Sequence, residues 1–326
     1  MPLDRAGLTS RETCTRSHGY PAGCPNIGVH RFDITVNCDP YLRARARLSG
    51  MTSLPTDLPD FASPPIGEVS LGVQFNSLEG LLAPHLGLIW ADFRASFPLL
   101  EQHPPLLPVF ETFTNGGTPS LIPQLQILTS VPTPRVFFIN SDRTELLQVQ
   151  RDRFHHNWRK VAEGVEYPRF EKMLGTFEAG LTHLTKVIAD IGLGQIVPNQ
   201  CELTYVNHLT VPAGTKQSDI FAALLKPWLK APMLSDLGAA EDGRVMLRYI
   251  IRDKAKAPIG RLTIGAEPAR KLDGTDIVQM TLVARGKPKG DALGDVSEFL
   301  KLGRRHIVKS FDEITSPEMH KIWGKK

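Results

Sequence analysis

Val69, Leu71, Val73 and Phe75 alternate with small or polar residues, and that alternation predicts a half-buried strand running on from Pro64-Pro65. A helical stretch follows at about 78–97, carried by Leu81, Leu82, Leu86, Ile89, Trp90 and Phe93 and closed by Pro98 and Pro104-Pro105. Residues 104–134 are rich in Pro, Gly and Thr, with short strand candidates at Leu106–Phe113 and near Leu121–Leu128. Arg135–Asn140 and Glu145–His155 predict a hairpin around Ser141-Asp142-Arg143-Thr144. From Phe170, apolar residues recur at spacings of three and four through Leu174, Phe177, Leu181, Leu184, Ile188 and Ile191, the stripe of a long amphipathic helix that Tyr167-Pro168 opens and Gly192 and Gly194 end. The second half reads as a strand at Glu202–Val211, a short helix at Ser218–Trp228 with Ser218 as its cap, and strands at Arg244–Arg252, Ile259–Ala269 and Thr275–Arg285. A last long helix starts near Asp295 and Glu298 in a capping-box-like pattern and carries Val296, Leu300, Gly303, Ile307, Phe311 and Ile314. Ser316-Pro317 starts a final short helix ending near Trp323.

Both halves thus follow one order: strand, helix, several antiparallel strands, long helix. A sheet with one apolar face must be covered, and a striped helix can cover it. The expectation is an α+β protein of two antiparallel sheets, each covered by a long helix. The arrangement resembles the helix-grip and TATA-binding-protein-like folds and implies an architectural pseudo-repeat. The expected division is a disordered or spurious extension at 1–60, a first sheet-plus-helix unit at 61–198 and a second at 199–326.

The densest chemistry lies at 148–159. Gln148, Gln150, Arg151, Asp152, Arg153, Phe154, His155, His156, Asn157, Trp158 and Arg159 crowd three arginines, two histidines, several amides and two aromatics onto what reads as the end of a strand. As one continuous strand, Leu147, Val149, Arg151, Arg153, His155 and Asn157 share a face, and Gln148, Gln150, Asp152, Phe154, His156 and Trp158 share the other. One interpretation is a strand leaving the core, with the arginines paired to acids and Trp158 stapling the long helix. The other is a rim site at which arginines fork to a carboxylate or phosphate and Phe154 or Trp158 stacks; on that view Arg153→Ala weakens partner capture and leaves folding intact. Tyr205 and Asn207 share a face of the first strand of the second half, and a network from Asn207 or His208 to the Gln148 and Gln150 amides is expected. The candidate binding set is therefore Gln148, Gln150, Arg151, Asp152, Arg153, Trp158, Arg159, Tyr205 and Asn207. Arg304-Arg305-His306 reads as a solvated helix face, and His320 and Trp323 as docking residues.

Charge and chemistry narrow the classes. The net charge is +4, but residues 1–50 hold seven arginines against four acids, so the remainder is nearly neutral and gives no general case for nucleic acid. Three of the four cysteines fall within the first forty residues, none forms C-x-x-C, and no metal or cofactor is implied. No apolar run is long enough to span a bilayer and no secretory leader is visible, so a cytoplasmic location is expected. Translation from Met51 is one expectation for the unusual first fifty residues, and a basic arm that contacts an anionic partner is the other. There is no G-x-S-x-G, Walker loop, H-E-x-x-H or dinucleotide fingerprint, and the adjacent His155 and His156 would point to opposite faces of a strand.

The motifs Pro64-Pro65-Ile66, Gln148-x-Gln150-x-Asp152-Arg153-Phe154, Asn157-Trp158-Arg159, Tyr167-Pro168, Tyr205-x-Asn207-His208, Phe311-x-x-Ile314-Thr315 and Met319-His320-x-x-Trp323-Gly324 occur in order. From about residue 55 to the C-terminus the chain resembles a sporadically distributed bacterial protein family with no established activity. The resemblance implies a mobile or defence-related setting and supplies no chemistry. The expected function is a non-enzymatic binding or regulatory protein, with a protein partner encoded nearby or an anionic ligand. The alternative is a small-ligand binder or enzyme using a cavity between sheet and helix.

Overall fold

The computed structural model describes residues 58–113, 132–211, 214–215, 220–226, 235–236, 243–271 and 273–326. The strand expected near Leu121–Leu128, the Ser218 cap and the Met51 start all lie outside the described residues.

Among the described residues nine antiparallel strands form one sheet: β1 (Ile66–Phe75), β2 (Leu99–His103), β3 (Arg135–Ile139), β4 (Glu145–Gln150), β5 (Arg153–Arg159), β6 (Pro198–Thr210), β7 (Val245–Arg252), β8 (Pro258–Arg270) and β9 (Asp276–Gly286). Their order is β2-β3-β4-β5-β1-β6-β9-β8-β7. The helices are α1 (Ala83–Phe93), α2 (Phe170–Asp190), α3 (Ile220–Leu224), α4 (Leu293–Ile314) and α5 (Pro317–Ile322).

This corrects the expectation of two sheets and of a helix-grip pseudo-repeat. β1 pairs with β6 from Ile66↔Asn207 to Phe75↔Pro198, so the strands expected to open separate sheets are hydrogen-bonded neighbours at the centre of one. Backbone donors and acceptors that would have marked two sheet edges satisfy each other, and the hydrophobic core is a single cluster. The alternation within a strand says which face it buries and nothing about its lateral partner, so the sequence pattern fits either arrangement.

The long helices lie on one face of this sheet. In α2, Phe170, Met173, Phe177, Leu181, Leu184 and Ile188 are buried, and Phe177 stacks on Phe154 of β5 with centroids 5.7 Å apart. In α4, Val296, Leu300, Gly303 and Ile307 are buried against β6 and β9. Its N-cap is Ala292, without a side-chain cap, so Asp295 sits in the first turn rather than closing a capping box. α1 places Phe93 against Phe138 of β3. Ser316 caps α5 by accepting the Met319 N–H, with Pro317 in the first turn. Among the described residues no helix is long and apolar enough to cross a membrane.

A second correction bears on the site. The expected strand from Glu145 to His155 is a hairpin: β4 ends at Gln150, Arg151 and Asp152 turn, and β5 begins at Arg153. The pairs Gln150↔Arg153, Val149↔Phe154 and Gln148↔His155 set the faces. Arg153, His155 and Asn157 therefore share a face with Gln148 and Gln150, not with Leu147 and Val149. The turn is braced by neighbours: Phe75 N–H donates to the Asp152 carbonyl at 2.8 Å and Leu78 N–H to the Arg151 carbonyl at 2.9 Å. The expected strand at Leu106–Phe113 is also absent; that segment is extended without ladder pairing.

Candidate functional site

Every second residue of the central strands points away from the helices, and on that face, called the open face, most residues are polar, with Leu146 and Val206 among the exceptions. β1 contributes Glu68, Ser70 and Gln74; β5 contributes Arg153, His155, Asn157 and Arg159; β4 contributes Gln148 and Gln150. Register carries the face on to Gln200 and Glu202 of β6, Arg285 of β9 and Arg261 of β8.

The centre of this face is a connected network. Ser70 Oγ lies 3.2 Å from His155 Nδ1 and donates to Asn157 Oδ1 at 3.2 Å. Asn157 Oδ1 also accepts from Gln148 Nε2 at 2.9 Å, and Gln148 Oε1 accepts from Arg135 Nη1 at 3.0 Å. Arg285 donates to Glu202 at 2.7 Å. The His155 ring lies directly on Gly72, where a Cβ would meet it at 2.4 Å, so only glycine lets the ring settle into the network.

Burial pushes the His155 imidazole down to about 4; Arg153, Arg135 and Arg285 reinforce the effect and Glu202 opposes it. The unfolded imidazole binds a proton near pH ~6.5. The folded-state value lies below that, so the unfolded state binds more protons in between. The stability from neutral His155 is complete above about 6.5 and is lost as pH falls toward 4, on the order of 3 kcal/mol in all. Melting temperatures between about pH 7 and about pH 4.5 should show this fall, and His155→Gln should flatten it. An equally steep fall in the variant would move the acid sensitivity elsewhere.

Across this face runs the chain's own segment 104–113, here called the strap. Gln150 accepts from Leu106 N–H at 2.8 Å and donates to the Leu106 carbonyl at 2.7 Å, gripping one residue's main chain as a neighbouring strand would. Arg153 Nη2 donates to the Leu107 carbonyl at 2.8 Å, and Gln74 Oε1 accepts from Val109 N–H at 2.9 Å. Arg261 Nε donates to Glu111 Oε2 at 2.8 Å and its Nη2 to the Thr112 carbonyl at 2.8 Å, while Arg285 Nη1 lies 3.6 Å from Glu111 Oε1. The receiving side chains come from β4, β5, β1, β9 and β8, so the strap crosses the strands in the sheet's own order.

The structure divides the residues singled out from sequence. Gln148, Gln150, Arg153 and Arg159 stand on the open face. Arg151 sits in the turn paired with Glu79. Asp152, beside it, accepts from Gln150 Nε2 at 2.7 Å. Trp158, Tyr205 and Asn207 belong to the helix face. Trp158 packs on Tyr167 with centroids 5.5 Å apart, and Tyr205 shares a 2.9 Å hydroxyl contact with Tyr167. Burial raises both phenols, Tyr205 to about 12. Asn207 donates to the Met280 carbonyl at 3.2 Å, and His208 lies over Gly67, so the expected network to Gln148 and Gln150 does not form. His156, also on the helix face, pairs with Glu145 at 3.2 Å. Gln74, Ser70, Arg135, Glu202, Arg261 and Arg285 were missed. Their signal was polar residues at alternate positions of strands read only for their apolar face.

Tyr205 and Asn207 instead line a cavity of about 80 Å³ between sheet and helices, together with Tyr167, Arg169, Phe170 and Arg304. Among the described residues, no group of three His, Cys, Asp or Glu is placed to hold a metal ion. No protein-family model, curated protein or solved structure matches the chain.

Proposed function

We propose that this chain is a non-enzymatic binding protein and that the open polar face of its sheet is the working surface. The observation that carries the proposal is the strap: side chains from four strands converge on the main chain of one segment, a fifth strand adds Arg285 beside its Glu111 carboxylate, and together they hold it across the sheet. The groups involved are amides and guanidiniums, which bind and orient. The one histidine at the centre is buried, neutral and committed to Ser70, which suits a structural network better than proton transfer.

The cavity beside Tyr205 supports a second reading, a small-ligand binder, since two tyrosines, two arginines and Asn207 line it. At about 80 Å³ it is well below the roughly 300–1,000 Å³ of ordinary ligand pockets, which favours the open face.

Photo-crosslinking separates the two. A photoreactive phenylalanine analogue at Thr263 or Thr281, on the open face, should give discrete adducts in cells that express the protein natively. The same group at Thr182 or Lys301, on the helices, should not. Adducts confined to the helix side would overturn the proposal.

A further inference from the structure

We infer that the strap stands in for a partner, and that the open face takes in its place an extended acidic peptide, main chain on Gln74, Gln150 and Arg153 and one carboxylate between Arg261 and Arg285. The inference rests on the open face being the binding surface and names what binds there.

What the strap buries is the first argument. Four of its apolar side chains face outward: Leu106 is 40% exposed, Leu107 70%, Val109 40% and Phe110 54%, while the half-buried Phe113 ring lies under the Arg261 guanidinium. Its one acid does the reverse, with the Glu111 side chain 13% exposed between the two arginines. A segment serving the core would bury its leucines. This one is selected by its backbone and its charge, and Arg–carboxylate pairing is the directional part.

Unfinished bonding is the second. Arg135 Nε and Gln200 Oε1, both buried, have no hydrogen-bond partner among the described residues. Buried polar groups are costly to leave unmet. Gln200 faces Gln74, the residue that holds Val109, so an incoming chain following a slightly different path reaches an acceptor that the strap leaves idle. The strap is therefore an imperfect occupant favoured by its covalent tether, which acts as a high local concentration. Held by polar contacts with most of its apolar side chains in water, it belongs to the easily opened end of the molecule.

Acidic peptide is favoured over nucleic acid because the contacts read the N–H and C=O groups of a peptide main chain and clamp a single carboxylate.

The test uses the full chain with Glu111→Lys, which sets a cation against Arg261 and Arg285 and leaves the receiving residues intact. Hydrogen exchange at residues 106–112 should accelerate while β1, β4 and β5 stay protected. A fluorescent synthetic peptide of residues 104–113 should then bind the variant about ten-fold more tightly than the unaltered chain, whose own strap competes. The peptide carrying Gln for Glu111 should lose about ten-fold. Glu111→Gln replaces Glu111→Lys if the latter perturbs the fold. A released strap without peptide binding, equal binding of both peptides, or displacement of the peptide by single-stranded DNA overturns the inference. Crosslinks from Thr263 or Thr281 alongside a failed peptide would leave the binding surface standing and remove only the acidic peptide as its occupant.

Discussion

Gly286→Val is expected to leave no stably folded protein. Gly286 pairs with Gly260 across β9 and β8, and the Phe299 ring of α4 lies over both. Even a single Cβ at 286 would sit 2.3 Å from the Ile259 carbonyl oxygen, 2.6 Å from Phe299 Cε2 and 2.7 Å from the Gly260 Cα. Two of those three contacts are backbone, which cannot rotate away as a side chain can. The strands must separate or α4 must lift, and the cost should be roughly 4 kcal/mol or more, the upper end for overpacking. Near-ultraviolet circular dichroism and thermal melting measure it. A variant that melts within a few degrees of the natural chain would show that this corner of the sheet has room.

The second large effect is expected at Arg153. Its side chain is buried, and its guanidinium donates to Gln74 Oε1 at 3.0 Å and to the Leu107 carbonyl at 2.8 Å, with Nε 3.5 Å from Asp152 Oδ1. Arg153→Ala leaves the Asp152 carboxylate, itself 8% exposed, without its cation and with only the Gln150 amide as donor, and removes the cross-brace between β1 and the strap. Removing one partner of a buried ion pair costs about 3–5 kcal/mol. Urea unfolding should show that loss, and hydrogen exchange should show the strap amides released. Arg151→Ala is the control. Its partner Glu79 is open to solvent, so stability should not change. The outcome that would sink this account is an Arg153→Ala protein as stable as Arg151→Ala. It would restore the sequence expectation that Arg153 acts on a partner without supporting the fold.

Arg151 and Arg153 look alike in sequence, and the reason they differ is the part of the fold that pattern could not reach. Helices were legible because a stripe such as Phe170 to Ile188 repeats over many turns, and α2 runs from Phe170 to Asp190. β1 was legible because Val69 to Phe75 alternate without interruption. The turn between β4 and β5 carries no such signal. Two-residue hairpins favour Asn-Gly or Asp-Gly, and Arg151-Asp152 offers neither; what holds the turn is bonding from Phe75 and Leu78, which no local window contains. Missing that turn inverted the faces of β5 relative to β4 and hid the convergence of Gln148 and Gln150 with Arg153, His155 and Asn157. The union of the strands into one sheet was illegible for a related reason: β1–β6 pairing is a long-range contact between strands with equally apolar inner faces. The strap was misread because Leu106, Val109 and Phe110 suggest a strand, while what places the segment is Glu111 and the side chains beneath it.

Among the described strands β1 is made first, yet both of its neighbours are far downstream: β5 ends at Arg159 and β6 spans Pro198–Thr210. During synthesis, β3, β4 and β5 can close as local hairpins within microseconds. β1, with Val69, Leu71 and Val73 already exposed, must wait for the β5 flank and then longer for β6. β1 thus gains its second neighbour only when β6 is made, long after its own synthesis, and β6 in turn waits for β9. An interrupted chain ending before β6 would present β1 as an open, apolar strand, the kind of edge that captures other chains.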